Sequence, residues 1–134
     1  MTDCVFCKIV AGQLPCHKVY EDNLFLGFLD IKPLARGNSL LIPKAHYRWV
    51  TDVPEFGQYW ETAKKIALAT QVTVNSNYTT FLTLGTEVAH AHIRIIPRFL
   101  DDLHGEGIKI DNLINISAEQ MALLAHDIQT KINQ

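Results

Sequence analysis

The stretch TEVAHAHIRIIPRF, Thr86 to Phe99, decides how this chain is read. Two histidines, His90 and His92, stand two residues apart, and Arg94 continues the spacing. The residues between them are apolar, the alternation of a β-strand with one buried face. On such a strand Val88, His90, His92, Arg94 and Ile96 point one way, and Ala89, Ala91, Ile93 and Ile95 point the other. The second set is wholly apolar, so it is expected to face the core and fix the register. Consecutive members of the first set lie roughly 6.5–7 Å apart, which lets His90 and His92 serve adjacent but separate purposes. Ordinary histidines on a solvated sheet face are the bland alternative. Two imidazoles and a guanidinium in register argue against it.

Working outward, Gly85 separates this strand from another, YTTFLTL. Before that, Pro54 to about Val74 reads as a helix. Ile66, Ala69 and Thr70 share one face, Tyr59, Ala63 and Ala67 lie near it, and Asp52 is the expected cap. SLLIPKAH, Ser39 to His46, reads as a buried strand ending at Pro43. HKVYEDNLFLGFLD, His17 to Asp30, reads as a hairpin turning at Glu21-Asp22-Asn23. On the other side, Arg98 to Ile116 is irregular, with two glycines and four acidic residues. A last helix opens at Ser117, capped with Gln120, and carries the stripe Met121, Leu124, Ile128 and Ile132. Strands that follow one another directly favour an antiparallel sheet. The reading is therefore a single α+β domain over residues 1–134, with about five strands and two helices.

Composition agrees. A chain of 134 residues with 48% hydrophobic and 19% charged residues can bury one core. A net charge of −2 offers no field for nucleic acid, so an anion would be gripped locally. No stretch is apolar enough to span a bilayer. MTDCVFCKIV lacks the pattern of a signal peptide, so a cytosolic protein is expected.

Three cysteines in a reducing compartment argue against a disulfide framework, and Cys4-x-x-Cys7 points to metal or redox chemistry. A redox pair is expected between a strand and a helix of a βαβ unit, which is absent here. A structural zinc needs four thiolate or imidazole ligands. Two would come from the six histidines His17, His46, His90, His92, His104 and His126. A sheet can bring His46, which follows a strand, beside His90. His126 is expected to be solvated, and Cys16 to be a small buried residue.

These residues resemble the histidine triad (HIT) family of nucleotide-binding hydrolases and transferases. The similarity covers about Cys4 to Phe99, leaving a C-terminal loop and helix over 100–134. CVFCKIVAGQLPCHKVYEDNLFLGFLDIKP is similar to the family's N-terminal segment, LLIPKAH to the strand bearing its lysine and histidine, and GTEVAHAHIRIIPR to its signature. The resemblance implies homodimers and a covalent nucleotidyl-histidine formed at His92, the middle position of the signature, with Arg94 beside it. It implies a purine nucleotide or nucleotide adduct held by Val5, Phe6, Ile9, Phe28, Asp30, Ile31, Asn38 and Thr86. In the zinc-bearing bacterial-type branch it further implies a structural zinc on Cys4, Cys7, His46 and His90.

The chain departs from the family pattern at three places. Arg94 replaces the third signature histidine, Asn38 stands where many members have histidine, and Thr86-Glu87 replaces a phosphate-holding pair. Arginine can bind phosphate in bidentate fashion but cannot donate a proton near neutrality. Glu87 would repel a polyphosphate unless it faces away or pairs with Arg94. Two readings follow. One is a hydrolase of nucleoside phosphoramidates or dinucleoside polyphosphates. The other is a catalytically weakened nucleotide-binding or protein-interaction module.

Overall fold

The computed structural model describes residues 3–133. It forms a five-stranded antiparallel sheet in the order β1-β2-β3-β5-β4, with three helices. The strands are β1 (Lys18–Glu21), β2 (Phe25–Leu29), β3 (Ser39–Pro43), β4 (Tyr78–Leu82) and β5 (Ile93–Arg98). The helices are α1 (Val5–Val10), α2 (Phe56–Val74) and α3 (Ala118–Ile132). The α+β class and the five strands are as expected. Among the described residues no helix is long and apolar enough to cross a membrane.

Residue alternation sorts the core into two faces. Phe25 and Leu29 of β2, Leu41 of β3, and Ile93 and Ile95 of β5 join the α2 and α3 side chains in the main core. Leu26, Phe28, Leu40 and Ile42, from the same β2 and β3, pack instead on Phe6 of α1. Both central strands are thus buried on both sides, which accounts for their near-continuous apolar sequence. The α1 side of the sheet carries the site.

The expected faces of α2 are buried as read: Tyr59, Ala63, Ile66, Ala67, Ala69 and Thr70 all lie inside. In α3, Ser117 Oγ accepts from the Gln120 N–H at 3.1 Å, and Met121, Leu124 and Ile128 are buried.

Three local expectations need correction. A third helix, α1, sits at the N-terminus. It is six residues long, too short for periodicity to reveal, and Cys4 caps it by accepting from the Cys7 N–H at 3.4 Å. Helix α2 begins at Phe56 rather than Pro54. Val53 is extended, as the residue before proline prefers, and Asp52 ends a separate 3-10 turn, where its side chain accepts from the Trp49 N–H. Strand β5 begins only at Ile93, because residues 86–92 arrive as irregular chain outside the ladder. Ala89 is consequently exposed, although Ala91, Ile93 and Ile95 are in the core as expected.

Candidate functional site

Strands β3 and β5 are sheet neighbours, so the chain leaving β3 meets the chain entering β5. That adjacency brings His46 to His90. Helix α1 covers the same edge and adds Cys4 and Cys7. The four ligand atoms lie within 4.8 Å of one another. Cys4 Sγ is 3.4 Å from His90 Nδ1, Cys7 Sγ is 3.3 Å from His46 Nδ1, and the two Nδ1 atoms are 3.1 Å apart. Tetrahedral zinc with its ordinary bond lengths sets N···N near ~3.3 Å and S···N near ~3.5 Å, so the donor set fits that ion. His90 Nε2 donates to the Pro43 carbonyl at 2.8 Å, which leaves Nδ1 with its lone pair toward the other three.

Beside this cluster lies a cavity of about 790 Å³. Val5, Phe6 and Ile9 of α1, and Phe28 of β2, form apolar parts of its wall, and Asp30, Ile31, Thr86, His92 and Arg94 also line it. His90 and His92 are buried rather than solvated, at 0% and 6% exposure, and both rings pack edge-on against Phe6. His92 Nδ1 donates to the His90 carbonyl at 2.9 Å, so Nε2 is the nitrogen left with a lone pair. Burial, with the Arg94 charge, holds the His92 ring below the usual histidine range, so it is neutral near pH 7. Burial pushes the Asp30 carboxyl up, although the Lys32 N–H bonded to Oδ1 at 2.9 Å and the nearby Arg94 charge oppose it.

The family profile of the HIT domain matches residues 11–101. The chain belongs to the HIT family. An uncharacterised HIT-like protein of Borreliella burgdorferi is 39% identical, covering 98% of this chain and 100% of its own length. An adenosine 5′-monophosphoramidase of Schizosaccharomyces pombe is 33% identical over 96% of this chain and 98% of its own. The crystal structure of a zinc-bound histidine triad family protein from Mycobacterium smegmatis aligns with a TM-score of 0.78 at 28% identity, covering 98% of this chain and 94% of that one.

One expected ligand residue of this HIT protein sits elsewhere. Asn38 is 1% exposed and does not line the cavity. Its Oδ1 accepts from the Leu34 N–H at 2.9 Å, and its Nδ2 donates to the carbonyls of Ser39 and Ile95 at 3.3 Å. Every polar atom of that amide is occupied in bracing the loop against β5. Glu87 lines the cavity and is exposed, but no ion pair joins it to Arg94 among the described residues. Of the remaining histidines, His126 is exposed as expected. His104 is buried and bonded to backbone, and His17 lines the cavity. Cys16 is half-buried on the cavity wall.

Sequence reading did not find Arg48, Ile110 or Leu113. Arg48 donates to the Gly85 carbonyl at 2.8 Å and lies 3.7 Å over the Trp49 ring, steadying the turn that precedes Thr86 and Glu87. Its charge also disfavours protonation of His92. Nothing local in HYRWV signals that role. Ile110 and Leu113 enter the wall from the irregular segment after β5.

Proposed function

We propose that this HIT protein hydrolyses or transfers a nucleoside monophosphate group through a covalent intermediate at His92. The observation that carries the reading is the His92 to His90 bond of 2.9 Å, which leaves a neutral Nε2 on a ring lining the cavity. Nε2 attacks the α-phosphorus. The N–P bond forms as the bond from phosphorus to the leaving group breaks, and that group departs with the electron pair and takes a proton from water. Water then attacks the same phosphorus and the N–P bond breaks, returning His92. The His90 carbonyl stabilises the imidazolium that exists between the two steps. Arg94 supplies fixed positive charge to the phosphate oxygens, with no proton to give.

The nucleoside lies along Val5, Phe6, Ile9, Phe28 and Ile31, with Asp30 toward the ribose hydroxyls and Thr86 near the phosphate. A purine nucleotide adduct is the proposed substrate, in keeping with the phosphoramidase relative. Cys4, Cys7, His46 and His90 would hold a structural zinc, which would pin α1 against the chain bearing His92. A site closed by four protein ligands would leave no open position for catalysis. The family resemblance supports a homodimer, and the sequence pattern supports a cytosolic location.

The exposed carboxylate of Glu87 on the cavity wall favours a second reading, a nucleotide-binding module with weakened catalysis. Turnover of adenosine phosphoramidate and of a dinucleoside polyphosphate, wild type against His92→Ala, separates the two. The enzyme reading expects turnover by the wild type and a loss of at least about a thousandfold in the variant, with AMP still bound. AMP binding by a wild type that turns over neither substrate would sink it.

A further inference from the structure

The cavity is laid out across the sheet in strand order. Helix α1 and β2 give it an apolar wall, with Asp30 at the end of β2. Leu40 of β3 follows, then Arg94 of β5, with His92 just before that strand. Strand β4 lies outermost, and its Leu82 pairs with Arg94. The chain leaving β4 therefore starts beside Arg94, on the side away from the α1 and β2 wall. It then brings Leu84, Thr86 and Glu87 to the cavity.

This turn is held at both ends. Arg48 donates to the Gly85 carbonyl at 2.8 Å, and the Ala91 N–H donates to the Tyr47 carbonyl at 2.7 Å. Gly85 has a φ of +65°, and a Cβ added there would lie 3.4 Å from the Trp49 ring. Thr86 and Glu87 are thus exposed cavity residues on a fixed backbone. Among the described residues no ion pair neutralises Glu87. Asp30, the other carboxylate of the wall, is half-buried and already accepts from the Lys32 N–H.

A phosphorus at His92, with its nucleoside on the α1 and β2 wall, carries its remaining substituent toward this turn. That substituent is the leaving group. An unpaired carboxylate there repels an anionic leaving group and attracts a cationic one. We propose that Glu87 selects the leaving group by charge, favouring nucleoside phosphoramidates whose amine portion bears an ammonium and rejecting adducts that end in phosphate or carboxylate. This rests on the nucleotide reading above. Arg94 and Glu87 then divide the phosphate end of the cavity. The guanidinium serves the phosphate oxygens that stay on the nucleotide, and the carboxylate faces the group that departs. The displacement keeps its balance: the P–N bond breaks, and the amine leaves with the electron pair and takes a proton from water. The same carboxylate that hinders a polyphosphate thereby becomes a means of discrimination.

The test uses three adenosine 5′-phosphoramidates of equal length, whose amine portions end in an ammonium, a hydroxyl or a carboxylate. Wild-type kcat/KM is expected to be roughly tenfold higher for the ammonium than for the carboxylate compound, with the hydroxyl between them, because an exposed charge contributes a few-fold in each direction. Added salt should shrink that ratio. Glu87→Gln should abolish it and Glu87→Lys should invert it, both with a melting temperature near that of the wild type because the side chain is exposed. Turnover without a charge preference overturns this inference and leaves the hydrolase reading standing, as does a preference that Glu87→Gln does not change. Should the wild type turn over none of the three, calorimetry on the same intact compounds reads the ratio as affinities. An ammonium preference that depends on Glu87 would then remove the hydrolase reading and support the charge selection. A wild type that binds none of them overturns both.

Discussion

His90 donates from Nε2 to the Pro43 carbonyl at 2.8 Å, and this bond decides which nitrogen of the ring faces the cysteines. With Nε2 protonated, Nδ1 of the neutral ring is an acceptor, 3.4 Å from Cys4 Sγ and 3.6 Å from Cys7 Sγ. The next histidine repeats the device in reverse. His92 uses Nδ1 to donate to the His90 carbonyl, which leaves Nε2 free to react. Two residues apart, the rings present different nitrogens because different atoms are tied to backbone.

Removing one metal ligand should loosen the cavity as well as the metal. Helix α1 has six residues and cannot persist on its own propensity. Cys4→Ser is expected to lower zinc from about one per chain to well below half, and to weaken AMP binding roughly tenfold as Phe6 and Ile9 lose their position. Metal analysis beside calorimetry checks both. Full zinc with unchanged AMP affinity would contradict the coupling.

The pH dependence of turnover should report Arg94. Burial first, and then the Arg94 charge, keep the His92 ring neutral to lower pH than an ordinary histidine. Removing the cation lets the ring hold its proton to higher pH. Arg94→Gln should therefore move the acid limb of kcat/KM upward and raise KM through the lost phosphate contact. A limb that stays in place or moves down would rule this out.

The Arg98–Asp102 pair should dominate the stability of the segment after β5 in acid. Burial opposes ionisation of Asp102, but Arg98 and the N–H groups of Phe99 and His104 outweigh it and hold the carboxyl at about 2. Its folded pKa is depressed, so its contribution is present above the usual aspartate range and is lost as pH falls from about 4 to about 2. That contribution is on the order of 2 kcal/mol. Asp102→Asn leaves the buried guanidinium without its partner and should cost about 3 kcal/mol or more at neutral pH. Urea unfolding of variant and wild type at pH 7, and of wild type across the acid range, measures both.

Gly37 is expected to tolerate no side chain. Its φ is +92°, and an added Cβ would sit 2.9 Å from Thr70 Cγ2 and 3.2 Å from Val74 Cγ1 of α2. Gly37→Ala should destabilise by about 1–3 kcal/mol, from both the backbone conformation and the displaced helix. A thermal midpoint equal to that of the wild type would show that α2 yields without cost.

Much of this architecture is local in origin. The apolar alternation in the later half of the signature strand assigns Ile93 and Ile95 to one face, and both lie in the main core. The Ser117 cap and the α3 stripe are likewise readable within single turns. Less legible was the path from Thr86 to His92, where the apolar alternation continues but the ladder does not. Alternation reports which side chains want burial, and buried residues outside a ladder satisfy it equally well. Helix α1 escaped because six residues span under two turns, too few for a period to show. Asn38 was assigned by position to the nucleotide, whereas its amide is consumed by three backbone groups.

By itself, then, the sequence determined the α+β class, the faces of the signature strand and of the two long helices, and the types of residue available for chemistry, because these follow from side-chain period and chemical identity along short stretches. Convergence belongs to the tertiary structure. Cys4 and His90 are 86 residues apart in the chain and meet only because β3 and β5 are sheet neighbours under α1. Ile110 and Leu113 reach the cavity only because Arg98, His104 and Ile114 tie their segment to the molecule by hydrogen bonds whose acceptors lie elsewhere in the fold. A pairing between distant groups depends on where the whole backbone runs, and no local pattern encodes that.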